Sequence, residues 1–372
     1  MNHALLSPSS SERWINCPPS AKENAGSSTG SAYAQQGTDA HALCEYKVNT
    51  ALGHRVRDPT DDLEFFDEEM AEHTDAYCEF VMEQVQAARE TCPDPLVLVE
   101  QRLDFTRWVA ESFGTADCVI VADGTMTVID FKYGLGILVE SEKNSQMRMY
   151  ALGALNLFES LYDIQTIRMI IFQPRRGNTS IAEISKDELL RWADEVLIPA
   201  AELAANGEGD YRAGKHCQFC RIKATCRKRA EYNLQMAQYD FAVPDTLSDD
   251  EISIILDRAE TFIGWVSDVK TFALEQAISG RNFPGFKVVE GRSNRKYTDE
   301  TAVAAVVTDA GYNPYEQKLM GVTAMTKLLG KRKFDTLLGS LVVKPKGKPT
   351  LVPASDKRPA WNTANEDFKE EE

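Results

Sequence analysis

No apolar run in the 372-residue chain approaches the roughly 18 residues of a membrane span, which argues against a helical membrane protein. The first residues, Met1 to Pro8, have neither the basic start nor the apolar stretch of a signal peptide, so a cytoplasmic location is expected. No Gly-x-x-x-x-Gly-Lys-Ser/Thr phosphate loop occurs, and any nucleic-acid unwinding must come from a partner. No internal repeat is visible. Cationic residues are scarce as well: 41 Lys and Arg stand against 57 Asp and Glu, a net charge of −16. Spread evenly, that balance would exclude a polyanion as partner. The charge is not even. Residues 61–90 hold eleven acids and one arginine, 211–233 seven bases and one acid, and 280–350 thirteen bases and six acids. An acidic body with two basic strips can still bind a polyanion locally. Eight cysteines are present, and in a reducing cytoplasm they are expected as thiols or metal ligands rather than disulfides.

Residues 18–37 are rich in Ser, Gly, Ala and Pro and read as a loop. A helix is expected to open at Gly37, capped by Thr38 or Asp39, with His41, Cys44, Glu45 and Val48 at helical spacing. A second, acidic helix covers 67–90. Strands follow at 96–103 and on either side of Asp123-Gly124, then a helix at 142–160, a strand at 164–172 and a helix at 185–205. This α-β-β-β-α-β-α order describes an α/β fold, a sheet flanked by helices. Residues 206–246 form a junction. Beyond it a long helix at 248–279, a short strand near 285–290 and helices near 299–310 and 322–339 make a small, mainly α-helical second part. The boundaries read as 1–235, 236–350 and a flexible tail, 351–372.

Two strands meeting at Asp123-Gly124 carry the chemistry. Asp-Gly favours a two-residue type I′ turn, in which both residues take positive φ. Ala122 then faces Thr125, and cross-strand partners sum to 247, so Asp117 lies opposite Asp130. Alternation puts Lys132 on the same face and points Ile129 and Phe131 to the other. Two carboxylates about 5 Å apart between Cβ atoms, on otherwise apolar strands, call for a cation between them. A divalent metal fits, with a lysine beside it. On the helix that follows, Gln146 and Tyr150 stand four residues apart on one face.

These residues resemble the PD-(D/E)XK nuclease superfamily in its RecB-like branch. The family's Gly-x-x-x-His helix matches Gly37 to His41, and the Asp opening its second core strand matches Asp117. Its Asp/Glu-x-Lys matches Asp130 to Lys132, and its Gln-x-x-x-Tyr matches Gln146 to Tyr150. The resemblance covers about residues 1–235 and implies a restriction-endonuclease-like αβββαβ core. It implies Mg2+ or Mn2+ bound by His41, Asp117, Asp130 and the Phe131 carbonyl. Lys132 then orients water or stabilises charge on the phosphate, while Gln146 and Tyr150 position the strand. Glu100, on the preceding strand, is expected to stand behind the metal ligands.

Cys217, Cys220 and Cys226 form C-x2-C-x5-C in a basic segment, one ligand short of four, and Cys17 is the candidate fourth. Taken alone, the set reads as zinc. AddB and the CRISPR-associated RecB-like exonucleases carry one cysteine before the nuclease core and C-x2-C-x5-C after it. Similarity to them implies a [4Fe–4S] cluster stapling the two ends of the domain. Cys44, Cys78, Cys92 and Cys118 are expected to pack as ordinary side chains.

The function so implied is a metal-dependent deoxyribonuclease, an exonuclease acting on DNA ends or single strands. Its partners would include a helicase or a single-stranded-DNA-binding protein. The whole chain also resembles a phage and prophage family, which implies phage DNA replication or recombination in a host cytoplasm. The competing reading is a non-catalytic DNA-binding or scaffold protein that keeps the nuclease fold, and RNA stays open as a substrate. The run Lys327 to Phe334 joins basic residues to an aromatic and is a second candidate phosphate contact.

Overall fold

The computed structural model describes residues 4–26, 32–235, 247–290, 297–315 and 319–343. By its contacts the chain divides into residues 1–276 and 277–372. The first unit is a mixed α/β fold around a five-stranded sheet in the order β1-β2-β3-β4-β5. The strands are β1 (Leu96–Asp104), β2 (Phe113–Val121), β3 (Gly124–Phe131), β4 (Ile164–Gln173) and β5 (Asn178–Ser185). Only β3 and β4 run parallel.

The helices of this unit are α1 (Ser11–Asn16), α2 (Ser20–Glu23), α3 (Ala32–Ala51), α4 (Glu68–Thr91), α5 (Ser145–Phe158), α6 (Lys186–Trp192), α7 (Ile198–Asn206), α8 (Arg227–Leu234) and most of α9 (Asp249–Ile278). Each sheet face has its own core. Ala40, Leu43 and Val48 of α3 and Met70, Tyr77, Val81 and Val85 of α4 bury Cys118, Ile120, Ile129 and Phe131. On the opposite face Met147, Leu152 and Leu155 of α5 bury Val119, Val121, Met126 and Val128. The alternation of β2 from Cys118 onward, and of β3, toward two apolar layers makes this a three-layer arrangement. Helix α4 starts where Asp67 accepts a hydrogen bond from the Met70 amide at 2.7 Å, and α5 where Asn144 accepts one from Met147 at 3.1 Å.

The expected hairpin register holds. Cys118 pairs with Ile129, Val119 with Val128, Ile120 with Thr127 and Val121 with Met126, while Ala122 and Thr125 exchange backbone hydrogen bonds of 3.1 and 3.2 Å. The turn differs from the expected type: Gly124 has φ +85°, but Asp123 is not in the positive-φ region. Gly124 also donates to the Asp163 carbonyl at 2.8 Å, so the turn already belongs to the parallel β3–β4 pairing.

Other boundaries move for identifiable reasons. Helix α3 begins before Gly37, because Thr38 bonds back to the Ala34 carbonyl and Asp39 accepts from Gln35 and the Phe65 amide instead of capping. Strand β5 was not expected: its apolar positions are few, and it is an edge strand that buries one face only. The helix expected at 185–205 is interrupted by a π-turn, Ala193–Leu197.

The second unit contains α10 (Glu300–Asp309), α11 (Val322–Leu329) and α12 (Lys331–Leu338). The helix expected at 322–339 is split at Gly330, whose φ of +72° a continuous helix cannot accommodate. No strand forms at 285–290; Gly285 turns the chain with φ +83°. Phe334 is 6% exposed, so its ring is spent on packing and is not free to stack on a base. The tail expected from 351 lies outside the described residues. Among the described residues no helix is long and apolar enough to cross a membrane.

Candidate functional site

The carboxylates gather where three strands run side by side. In β1, Val99 pairs with Cys118 and Gln101 with Ala116, so Glu100 stands opposite Asp117 just as Asp117 stands opposite Asp130. Glu100 has φ +49°, a backbone state that costs a non-glycine residue about 1 kcal/mol or more. The pairing register is the same on both sides of it, so the strand is twisted rather than bulged. The facing of both strands changes there. Leu96 and Leu98, with Val119 and Val121, pack into the α5-side core; past the kink that core takes Leu103 and Ala116, of the opposite parity.

This switch re-aims Asp117. Regular alternation would turn it toward α5 with Asp130; instead its Oδ1 lies 3.3 Å from His41 Nδ1 of α3, and its Oδ2 accepts from the Phe131 amide at 2.6 Å. Glu100 Oε1 is 4.0 Å from the same His41 nitrogen. His41, Glu100 and Asp117 each offer a ligand atom within 4.8 Å of the others, a group that can hold a metal ion. Glu100 therefore stands level with the candidate ligand atoms of His41 and Asp117 rather than behind them. The signal was present in the β1–β2 pairing, but the connection at 105–112 offers no two-residue turn from which to read that register.

Asp130 lies on the α5 side of the cluster. Its Oδ2 is 2.9 Å from Lys132 Nζ, and its Oδ1 accepts from Gln146 Nε2 at 3.1 Å. Gln146 Oε1 accepts from Lys132 Nζ at 3.1 Å, and Gln146 Nε2 also reaches the Tyr150 hydroxyl at 3.1 Å. One amide thus fixes a carboxylate, an ammonium and a phenol. Phe131 contributes its backbone amide to Asp117, while its ring packs beside His41, Tyr77 and Tyr133.

Electrostatics follow from this crowding. Burial pulls the His41 imidazolium down, but Asp117 overrides it through charge and hydrogen bond and lifts the pKa to about 9. Burial, reinforced by Asp117, raises Glu100 to about 7. Burial opposes ionisation of Asp117, yet His41 and the Phe131 amide hold it below the usual carboxylate range. Asp130 is pushed up by burial despite Lys132. Lys132, which burial alone would lower, is held above its ordinary value by Asp130 and so stays cationic. Without a further cation the cluster must hold protons that water would not leave on it.

The four selected cysteines line a common pocket with Arg13, Lys223 and Arg229. None is in a disulfide. The Gly214 amide points at Cys217 Sγ and Asn24 Nδ2 at Cys220 Sγ, each at 3.4 Å. Cys17 terminates α1, and its surroundings are tied to the second cysteine segment directly. Lys22 donates to the Asn206 carbonyl at 2.6 Å, and the Arg221 amide donates to Asn24 Oδ1 at 2.8 Å. Burial raises the Cys17 and Cys217 thiols. Cys44 and Cys118 pack in the α3–α4 core as expected.

A solved structure titled "Crystal structure of SSO0001" is similar to this chain at 14% identity and a TM-score of 0.23, over 50% of this chain and 94% of that one. A family model matches residues 3–359, nearly the whole chain, and the chain belongs to that family, described as "Protein of unknown function (DUF2800)".

Proposed function

We propose that the chain is a metal-dependent deoxyribonuclease that hydrolyses phosphodiester bonds at DNA ends or in single strands, as an exonuclease in phage replication or recombination. The observation that carries this reading is the Gln146 network, which locks Asp130, Lys132 and Tyr150 beside the His41–Glu100–Asp117 group. A structural salt bridge would need neither three carboxylates in line across β1, β2 and β3 nor a half-buried cationic lysine set among them. The donor set of one imidazole and several carboxylates fits Mg2+ or Mn2+. Such an ion, held by His41, Glu100, Asp117 and Asp130 with the Phe131 carbonyl, would activate water and polarise the phosphate. Lys132 places positive charge where a phosphorane accumulates negative charge, and Gln146 holds its ammonium in position. Tyr150, kept protonated by burial, offers its hydroxyl to a phosphate oxygen or sugar.

For Cys17, Cys217, Cys220 and Cys226 we propose a [4Fe–4S] cluster rather than zinc. Cys17 stands before the sheet and C-x2-C-x5-C after it, the placement that the resemblance to the RecB-like nucleases ties to such a cluster. The N–H groups aimed at sulfur and the surrounding cations favour ligated thiolates.

The test compares wild type with Lys132→Ala on end-labelled single- and double-stranded DNA, in Mg2+ and in Mn2+. Cleavage by wild type that falls at least ~100-fold in the variant is the expected result. Equal cleavage by both would sink the site assignment, and binding without cleavage in either metal would establish the scaffold alternative.

A further inference from the structure

We propose that the loop 134–140, directly after Lys132, holds the bases of an unpaired strand through Leu135, Ile137 and Leu138. This rests on the phosphodiesterase reading above and adds the part of the substrate that the carboxylate cluster cannot read. The three side chains are 50%, 40% and 46% exposed, an apolar tip on a loop where polar residues are the rule.

The exposure is not slack in the chain, because the loop backbone is pinned from below. Gln173, only 1% exposed, bonds the loop with both ends of its amide: Oε1 accepts from Val139 N at 2.9 Å, as well as from Asn178 Nδ2, and Nε2 donates to Ile137 O at 3.0 Å. Asn178 Nδ2 donates to Val139 O at 3.2 Å, Ser141 N to Ser180 Oγ at 2.9 Å, and Arg176 Nη1 to Leu135 O at 2.7 Å. A buried glutamine and a hairpin edge thus hold apolar side chains out in water, an arrangement that stabilises nothing in the free protein.

Position argues for the occupant. Leu135 is three residues from Lys132 and so within about 11 Å of it along the chain. Nucleotides follow one another at ~3.4 Å per strand in a duplex, which puts the loop a few nucleotides at most from a phosphate at Lys132. Arg176 at the loop base supplies positive charge for a flanking phosphate, while Arg175, 4.9 Å over the Tyr133 ring, is paired with Glu69 at 3.3 Å. Stacked bases in a duplex interior expose polar groove edges; apolar contact area is gained from bases out of the stack. An unpaired strand is therefore the ligand the loop fits.

The experiment uses the full chain and the Leu135→Ser/Ile137→Ser/Leu138→Ser variant. Binding of a fluorescent oligothymidylate is read by anisotropy with Ca2+ replacing Mg2+. Cleavage of the same oligonucleotide is compared with that of bis(4-nitrophenyl) phosphate, a diester without a base. At least tenfold weaker binding is expected, with at least a tenfold fall in the ratio of oligonucleotide to base-free cleavage. Unchanged affinity and ratio in the variant, with an active wild type, would overturn the loop assignment alone and leave the apolar tip to a protein partner. A wild type that neither binds nor cleaves would overturn the nuclease reading and this inference together. Leu135→Ser alone carries the same comparison if the triple variant loses stability.

Discussion

Gly153 shows how closely the helix bearing Gln146 and Tyr150 is laid against the sheet. A Cβ at this position would lie 2.5 Å from Phe105 Cε1 and 2.9 Å from Leu103 Cβ. On helix propensity alone, alanine would add up to about 1 kcal/mol of stability. Here overpacking decides the sign: Gly153→Ala is expected to destabilise by about 1–3 kcal/mol, because ring and strand would have to shift. Urea unfolding measures it, and a stabilised variant would show that α5 sits farther from β1 than described. The same closeness fixes the functional residues. With Met147, Leu152 and Leu155 buried on the sheet, Gln146 has little freedom to leave its three partners. Its identity was readable from spacing with Tyr150; its role as the bridge between Asp130 and Lys132 was not, since helical periodicity says nothing about which strand residues it meets.

Legibility changes from element to element. The register of β2 on β3 could be read because a two-residue turn and a period of two leave one solution, and that placed Asp117 opposite Asp130. The direction of the Asp117 side chain could not, because it depends on the left-handed backbone at Glu100, and a glutamate gives no sign of positive φ. Strand β5 has too few apolar positions to show an alternation, and at Gly285 the chain turns where a strand is expected to start. The long helix expected at 248–279 forms as α9, but its attachment cannot be read from the sequence. Asp268 accepts from Arg229 Nη1 and lies 2.9 Å from Lys223 Nζ, both from the cysteine segment. Arg229 is 4% exposed, so removing its partner leaves a buried charge held only by the Lys223 carbonyl. Asp268→Ala is expected to cost roughly 3 kcal/mol. Amide exchange should accelerate across 249–276 while the sheet keeps its protection. Unchanged exchange in α9 would mean that its apolar contacts, not this ion pair, hold it.

At the scale of the whole molecule, the chain must hold an acidic body together and tie segments far apart in its sequence. Residues 17 and 217 are two hundred positions apart, yet they line one pocket beside the bonds from Lys22 to Asn206 and from Arg221 to Asn24. Those bonds are exposed in part, and each contributes only about 1 kcal/mol. A shared cofactor closing a loop of that length restricts the unfolded chain by up to about 5 kcal/mol, on the same reasoning as a disulfide. The cysteine centre should thus be the larger tie. Cys17→Ser is expected to lose bound iron and sulfide and to lower the melting temperature by roughly 10 °C, since about 2–4 °C accompanies each kcal/mol in a unit of this size. Cys92→Ser, outside the pocket, should change neither. Calorimetry beside iron, zinc and sulfide analysis separates the outcomes. Zinc without sulfide would replace the cluster while keeping the staple. An unchanged melting temperature with no metal in either protein would show that the direct hydrogen bonds suffice, and the four thiols would then be packing residues in a basic pocket.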